Sequence, residues 1–140
     1  MSLSFSRSND ILDGVPMKEL LRTHHISFKN AFAGLGWAIR TQPNFRVHIT
    51  LSLVAILLGL YLGITSVEMT LIFFTIILGL SAEMINTALE SMTDLITTEW
   101  RENAKIAKDV SAGMMLVVAI GAIGVAVVIF GPYLLTWYQR

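Results

Sequence analysis

Between Val110 and Gly131 the chain reads VSAGMMLVVAIGAIGVAVVIFG, with no ionisable side chain along the run. One helical crossing of a bilayer takes about 20 apolar residues, so this run is long enough to span. Two more apolar stretches precede it, VHITLSLVAILLGLYLGI (Val47 to Ile64) and VEMTLIFFTIILGLSAEMI (Val67 to Ile85). Hydrocarbon offers no hydrogen-bond partners, so each segment must satisfy its own backbone, and a helix does that within a single segment. Only Thr65 and Ser66 separate the first two stretches, which forces them into a hairpin. The fold class is therefore an all-α membrane protein with three transmembrane helices. Composition agrees: 54% of residues are hydrophobic and 14% charged, against about 25% charged in soluble domains.

The 140 residues leave room for one membrane domain and no second one. The spans with their cytoplasmic extensions are expected at about 44–64, 67–97 and 105–131. The first apolar stretch lies too deep in the chain for a cleavable signal peptide. Lys18, Arg22, Lys29, Arg40 and Arg46 precede it, the hairpin turn carries no Lys or Arg, and Arg101, Lys105 and Lys108 precede the third stretch. By the positive-inside rule the N-terminus and the loop near residues 93–109 face the cytoplasm, and the C-terminus lies outside. Trp137 and Tyr138 suit the outer interfacial belt.

Ahead of the first span, residues 17–42 read as surface helix. Phe28, Phe32, Leu35 and Ile39 recur at helical spacing among polar residues that include Lys29 and Arg40. This predicts an N-terminal amphipathic surface helix on the inner leaflet. Pro43 ends it at Gln42, because the residue before proline avoids the helical region. Residues 1–16 read as a disordered tail. Net charge is zero and cysteine is absent, which excludes a thiolate metal site and gives no signature for nucleic acid. Any bound cation needs oxygen or imidazole ligands.

The inner half of the second span breaks the apolar pattern. At 100° per residue, Gly79, Glu83, Asn86, Thr87, Glu90 and Asp94 fall on one stripe of its helix. Glu83 sits near the inner edge of the hydrocarbon, and Glu90 about 10 Å further along the axis. Two readings are open. Polar side chains can join helices through hydrogen bonds, with Gly79 permitting close approach. Against that, two carboxylates on one stripe repel unless a cation or a proton separates their roles, and a carboxylate at this depth is costly and functional by default.

After the stripe comes TTEWRENAKIAKDV (Thr97 to Val110), the densest mixed-charge run in the chain. Lys105 and Lys108 alone would suit acidic headgroups. Beside a carboxylate stripe at the same depth they describe a site for Mg²⁺ and polyphosphate, since Mg²⁺ takes one or two carboxylates plus substrate phosphates. His48, at the inner interface, reads as a satisfied polar residue or a headgroup contact.

The segments FKNAFAGL, NFRVH, EMINTALESMTDL and AKIAKDVSAG, in that order and followed by a last apolar helix, resemble the small prokaryotic diacylglycerol kinase family, which includes the undecaprenol kinases. The likeness runs from Ser27 to Phe130. It implies an ATP-dependent kinase of a membrane lipid alcohol, undecaprenol or diacylglycerol, in the bacterial inner membrane, using Mg²⁺ and assembled as a homotrimer with shared active sites. By position, Glu83 would be the catalytic base that takes the proton from the lipid hydroxyl, and Asn86 its support at the substrate. Glu90 would bind Mg²⁺ and ATP. Lys108 and Asp109 would contact the nucleotide, as would Asn30 and the segment Glu99, Trp100 and Arg101. Where many members carry a second metal-binding Glu, this chain has Gln42, which offers a carbonyl oxygen and no charge; Asp94 or Asp109 could then assist. The lean toward undecaprenol rests on AKIAKDVSAG and the short turn.

The third span, with Gly113, Gly121 and Gly124, offers only a close-packing surface. A neighbouring protomer's surface helix, bringing Asn30 and Gln42, is the expected source of the missing wall. The competing class is a non-enzymatic channel or assembly subunit. A pore needs polar lining throughout, whereas VEMTLIFFTIILG in the outer half of the second span is almost wholly apolar.

Overall fold

The computed structural model describes the backbone of residues 17–139 and side chains from Ser27 onward. The tail expected at residues 1–16 lies outside the described residues. Four helices account for nearly all of the described chain: α1 (Met17–Thr41), α2 (Pro43–Leu62), α3 (Ser66–Ile96) and α4 (Glu102–Tyr138). No strand occurs among the described residues. The chain divides into two units, residues 1–40 and residues 41–140.

Within the first unit, α1 is amphipathic. Phe28, Phe32 and Ile39 are exposed at helical spacing, the arrangement of a helix that lays an apolar face on an interface.

The second unit holds the three helices that are long and apolar enough to cross a membrane. Thirty-one residues make α3 about 46 Å long and thirty-seven make α4 about 55 Å. Both exceed a hydrocarbon core of about 30 Å. The surplus carries the polar ends of α3 and α4 beyond the apolar layer. α4 also continues through Pro132 to Tyr138, beyond the end of its apolar run at Gly131. Pro132 lacks the N–H that would bond the carbonyl one turn back, but the helix resumes, and Thr136 Oγ1 donates to the Pro132 carbonyl at 2.9 Å.

The α2–α3 turn follows from four residues. Gly63 adopts φ 67°, ψ 40°, the left-handed conformation that glycine takes without cost. It closes a Schellman motif, with Ile64 N–H donating to the Gly59 carbonyl at 3.1 Å and Gly63 N–H to that of Leu60 at 3.3 Å. Thr65 then caps α3. Its Oγ1 accepts from the Glu68 N–H at 3.3 Å, and Glu68 Oε2 accepts from the Thr65 N–H at 2.8 Å. That reciprocal pair is a capping box. Tyr133 of α4 donates to the same Glu68 oxygen at 2.8 Å, so the turn is also tied to the far end of α4.

α3 packs mainly along α4, and α2 lies mostly against α3. The core is small: Ile72, Ile129 and Phe130, flanked by Ala55, Leu58, Leu62 and Ile76. The close approach expected at Gly79 is absent, since a Cβ there would meet nothing within 4 Å. Gly59 is the tight position: a Cβ would come within 2.9 Å of Ile64 Cδ1 and Met69 Cε.

Gly63→Ala is expected to destabilise the second unit by about 1–2 kcal/mol, the cost of a left-handed residue with a side chain. Gly79→Ala should leave stability unchanged. Reversible unfolding in mixed micelles measures both, and equal effects would contradict the assignment of strain to the turn.

Candidate active site

On α3 the polar stripe faces inward and becomes progressively more exposed toward its C-terminal end. Gly79, Ala82, Glu83, Asn86, Thr87 and Thr93 are buried, Glu90 is half-buried and Asp94 is exposed. Glu83 retains 3% of its accessible surface and Asn86 5%, so both have left solvent almost completely. Among the described residues none hydrogen-bonds the Glu83 carboxylate. Asn86 Nδ2 donates to Glu90 Oε1 at 3.1 Å across one turn. A carboxylate accepts but cannot donate when ionised, so this contact fixes the amide with Nδ2 toward Glu90. Asn86 Oδ1 is left buried without a partner. An orphaned buried acceptor costs about 1–3 kcal/mol, which a cation or a donor would remove. Beside a half-buried carboxylate, this oxygen fits the donor set of a hard divalent cation.

Where the C-terminal end of α3 meets the N-terminal end of α4, the charged residues come together. Lys108 Nζ donates to Asp94 Oδ1 at 2.5 Å and so joins the two helices. Lys105 pairs with Asp109 within α4, one turn apart. Arg101 pairs with Glu99 at 2.8 Å. Lys108 and Asp109, expected together at the nucleotide, thus engage different partners, Asp94 and Lys105. Asp94 and Asp109 are each engaged by a lysine. These residues line an open cleft of about 360 Å³ with Trp100 on its wall. Trp100 is 77% exposed, its indole available to a flat ligand. Thr93 and Thr97 complete the floor.

Sequence reasoning placed Glu99, Trp100, Arg101, Lys108 and Asp109 together, and the structure brings them into this one cleft. It missed Thr93 and the Asp94–Lys108 link, because that link depends on how α3 returns against α4. Gln42 is half-buried at the start of α2, with an extended backbone and no capping bond from its side chain. Asn30 belongs to α1 in the other unit and is exposed. Among the described residues no group of three or more His, Asp and Glu is placed to hold a metal. Glu90 is the half-buried carboxylate of the stripe, and it accepts from Asn86.

Residues 29–130 match the sequence profile of the prokaryotic diacylglycerol kinases. The chain belongs to that family. Its class is accordingly that of a lipid kinase. The chain is similar to a diacylglycerol kinase of Synechocystis, 38% identical over 79% of this chain and 64% of the relative. It is also similar to an undecaprenol kinase of Bacillus subtilis, 34% identical over 77% of this chain and 88% of the relative. A diacylglycerol kinase of Escherichia coli is 26% identical over 66% of this chain and 76% of the relative.

The orphaned amide oxygen gives the kinase a stability signature. Asn86→Leu, close in volume and without polar atoms, removes the unpaired acceptor, which costs about 1–3 kcal/mol, together with the Nδ2 bond to Glu90, which contributes about 1.5–3 kcal/mol. It is therefore expected to be near neutral in the metal-free and nucleotide-free protein. Thermal melting in detergent tests this. A loss of more than about 3 kcal/mol would mean that Oδ1 already has a partner as well.

Proposed function

We propose that this kinase transfers the γ-phosphoryl group of ATP to the hydroxyl of a membrane lipid alcohol, undecaprenol or diacylglycerol, at the inner leaflet of the bacterial inner membrane. The observation that carries the reading is the α3 stripe: a buried, unpartnered carboxylate at Glu83 lies two helical turns from Glu90, and the stripe runs on to Asp94 in a cleft where Arg101, Lys105 and Lys108 stand ion-paired with acidic side chains. One helix face thus runs from the lipid to the cytosol.

Each residue takes a role from its position. Glu83, at the lipid end, accepts the hydroxyl proton as the oxygen attacks the γ-phosphorus; ADP leaves with the electrons of the broken bond, and the product is the lipid phosphate. Asn86 holds Glu90 in place and directs its free Oδ1 into the site. Glu90 binds Mg²⁺, with a carbonyl oxygen from Gln42 as a second ligand. When bound, Mg²⁺ neutralises charge on the phosphate oxygens. Lys108 exchanges Asp94 for phosphate; the exposed pair contributes only about 0.2–1 kcal/mol, so the exchange is inexpensive. Arg101 and Glu99 border the nucleotide, Asp109 orients Lys105, and the Trp100 indole stacks against the adenine. Most of the rate enhancement then comes from positioning and charge neutralisation.

Basic residues ahead of α2 and α4, with none in the α2–α3 turn, support a cytoplasmic N-terminus and an outer C-terminus. Low burial supports a homotrimer with shared active sites: only 11–17% of each span is buried within one chain. At Gly113, Gly121 and Gly124 an added Cβ meets nothing within 4 Å, so these faces are open to a neighbouring helix. Asn30 of one chain then serves the site of another.

The test is phosphotransfer from labelled ATP in detergent micelles, offering undecaprenol, diacylglycerol and ceramide. Wild-type protein should label one of the first two, and Glu83→Gln should retain less than a tenth of that rate while still binding MgATP. No labelling of any lipid by the wild type sinks the reading.

A second expectation concerns the metal. Gln42→Glu adds a charged ligand and should lower the Mg²⁺ concentration at half-maximal rate, whereas Glu90→Gln should raise it at least tenfold or abolish activity. An unchanged Mg²⁺ dependence in both variants would place the cation elsewhere.

A further inference from the structure

At the α2–α3 turn end of the second unit, the last turns of α2 and α4 flank an open cleft of about 660 Å³. Tyr61 and Leu62 of α2 line it, with Pro132, Tyr133, Thr136 and Trp137 of α4, so half of its lining side chains are aromatic. Tyr61 and Trp137 are exposed and Tyr133 is half-buried. The Thr136 hydroxyl is already engaged by the Pro132 carbonyl, which leaves ring faces as the main surface of the cleft.

Glu68 of α3 reaches this cleft through Tyr133, whose hydroxyl donates to Glu68 Oε2 at 2.8 Å. The Thr65 N–H and hydroxyl donate to the same oxygen at 2.8 and 2.7 Å. None of these bonds goes to Oε1. Among the described residues Glu68 has no ion pair, and the basic side chains of the second unit lie elsewhere: Arg46 at the start of α2, and Arg101, Lys105 and Lys108 at the start of α4. The carboxylate at this end thus keeps its charge without a cationic neighbour.

These features select an occupant by charge. An anion meets no cationic side chain in the cleft. A hydrocarbon group gains little there, because lipid already surrounds the spans. A hard metal ion wants a shell of oxygen ligands, which ring faces and one free carboxylate oxygen do not supply. An organic ammonium gains twice, from the negative faces of the rings and from Glu68. The hydrogen bond from the Tyr133 phenol to a carboxylate also polarises that ring, which strengthens its attraction for a cation. The cleft stands at a boundary of the apolar layer, since α2 ends at Leu62 and the apolar run of α4 at Gly131. Tyrosine and tryptophan at that depth lie level with lipid headgroups.

We propose that this cleft is a binding site for an organic ammonium group, held by the faces of Tyr61, Tyr133 and Trp137 and by the charge of Glu68, and separate from the site of phosphoryl transfer. Glu68 precedes Glu90 by about 33 Å along α3, so neither site can touch the ligand of the other. An occupant bridges α2 and α4, which touch little elsewhere. The ammonium comes from a zwitterionic lipid headgroup or from a free amine, and the same groups recognise both.

The experiment reads binding directly. Full-length protein with fluorotryptophan at its three tryptophans is followed by fluorine NMR in dodecyl maltoside micelles, with Trp137 assigned through Trp137→Phe. Choline should shift the Trp137 resonance saturably, and dimethylbutanol, its neutral carbon isostere, should not. Glu68→Gln removes the charge and keeps an oxygen for the capping box, so it should weaken choline binding at least fivefold while the helix start persists. Tyr61→Leu, at an exposed position, should weaken it about two- to fivefold, the weight of one exposed cation–π contact. Nanodiscs separate the sources. A Trp137 shift in phosphatidylethanolamine relative to phosphatidylglycerol that Glu68→Gln abolishes assigns the occupant to a headgroup, and an equal choline titration in both lipids assigns it to a free amine; either supports the site. Equal shifts by choline and its neutral isostere, unchanged affinity in Glu68→Gln, or a response confined to Trp37 or Trp100 would overturn the proposal and leave Tyr61 and Trp137 as members of an interfacial belt.

Discussion

In hydrocarbon, helices gain nothing from hiding apolar side chains against one another, since lipid tails are as apolar as leucine. The arrangement of α3 and α4 therefore leans on directional contacts at the two ends of the pair. At the α2–α3 turn end Tyr133 reaches the capping carboxylate of Glu68. At the α3–α4 loop end Lys108 reaches Asp94. Between them lies a core of only Ile72, Ile129 and Phe130 with its flanking residues. The middle is loosely filled, with a groove beside Ala119 and Ala122.

The same geometry orders the chemistry. Along α3, burial falls from Glu83 to Asp94 while charge partners become available in the same direction. On the proposed reading the carboxylate that accepts a proton sits at the dry end, and the side chains that meet polyphosphate sit at the exposed end, where ion pairs are weak and reversible. Asn86 joins the two regimes by holding Glu90 through one amide hydrogen while leaving its oxygen free.

Much of this was legible in the sequence. The three spans followed from length and apolarity. The inward stripe followed from helical period, and burial of Glu83, Asn86 and Thr87 agrees with it. Pattern on one helix cannot register contacts between helices, which is why the link from Asp94 to Lys108 was not anticipated. Gly79 was read as a contact point because small residues often are one; the neighbouring helices stand away from it and leave a groove. The capping box was present in the letters TSVE, Thr65 followed by Glu68, and would have fixed the start of α3. Its link to Tyr133 depends on packing and leaves no local trace.

The unsatisfied groups share one explanation. An isolated protomer leaves Asn86 Oδ1 without a donor, the Glu83 carboxylate without a partner among the described residues, and the glycine faces of α4 uncovered. Within a membrane each such vacancy is expensive, because neither water nor bulk apolar collapse can compensate for it. A folded chain would retain these costs only where another component removes them. The uncovered glycines suit a second helix, which supports assembly of several chains. The polar vacancies call for groups that a helix face of glycine and valine cannot provide: a cation or a donor for Oδ1, and a donor or a proton for Glu83. Packing of glycine faces therefore cannot complete the protomer's polar face, and on the proposed reading it is the substrates that would bring those groups.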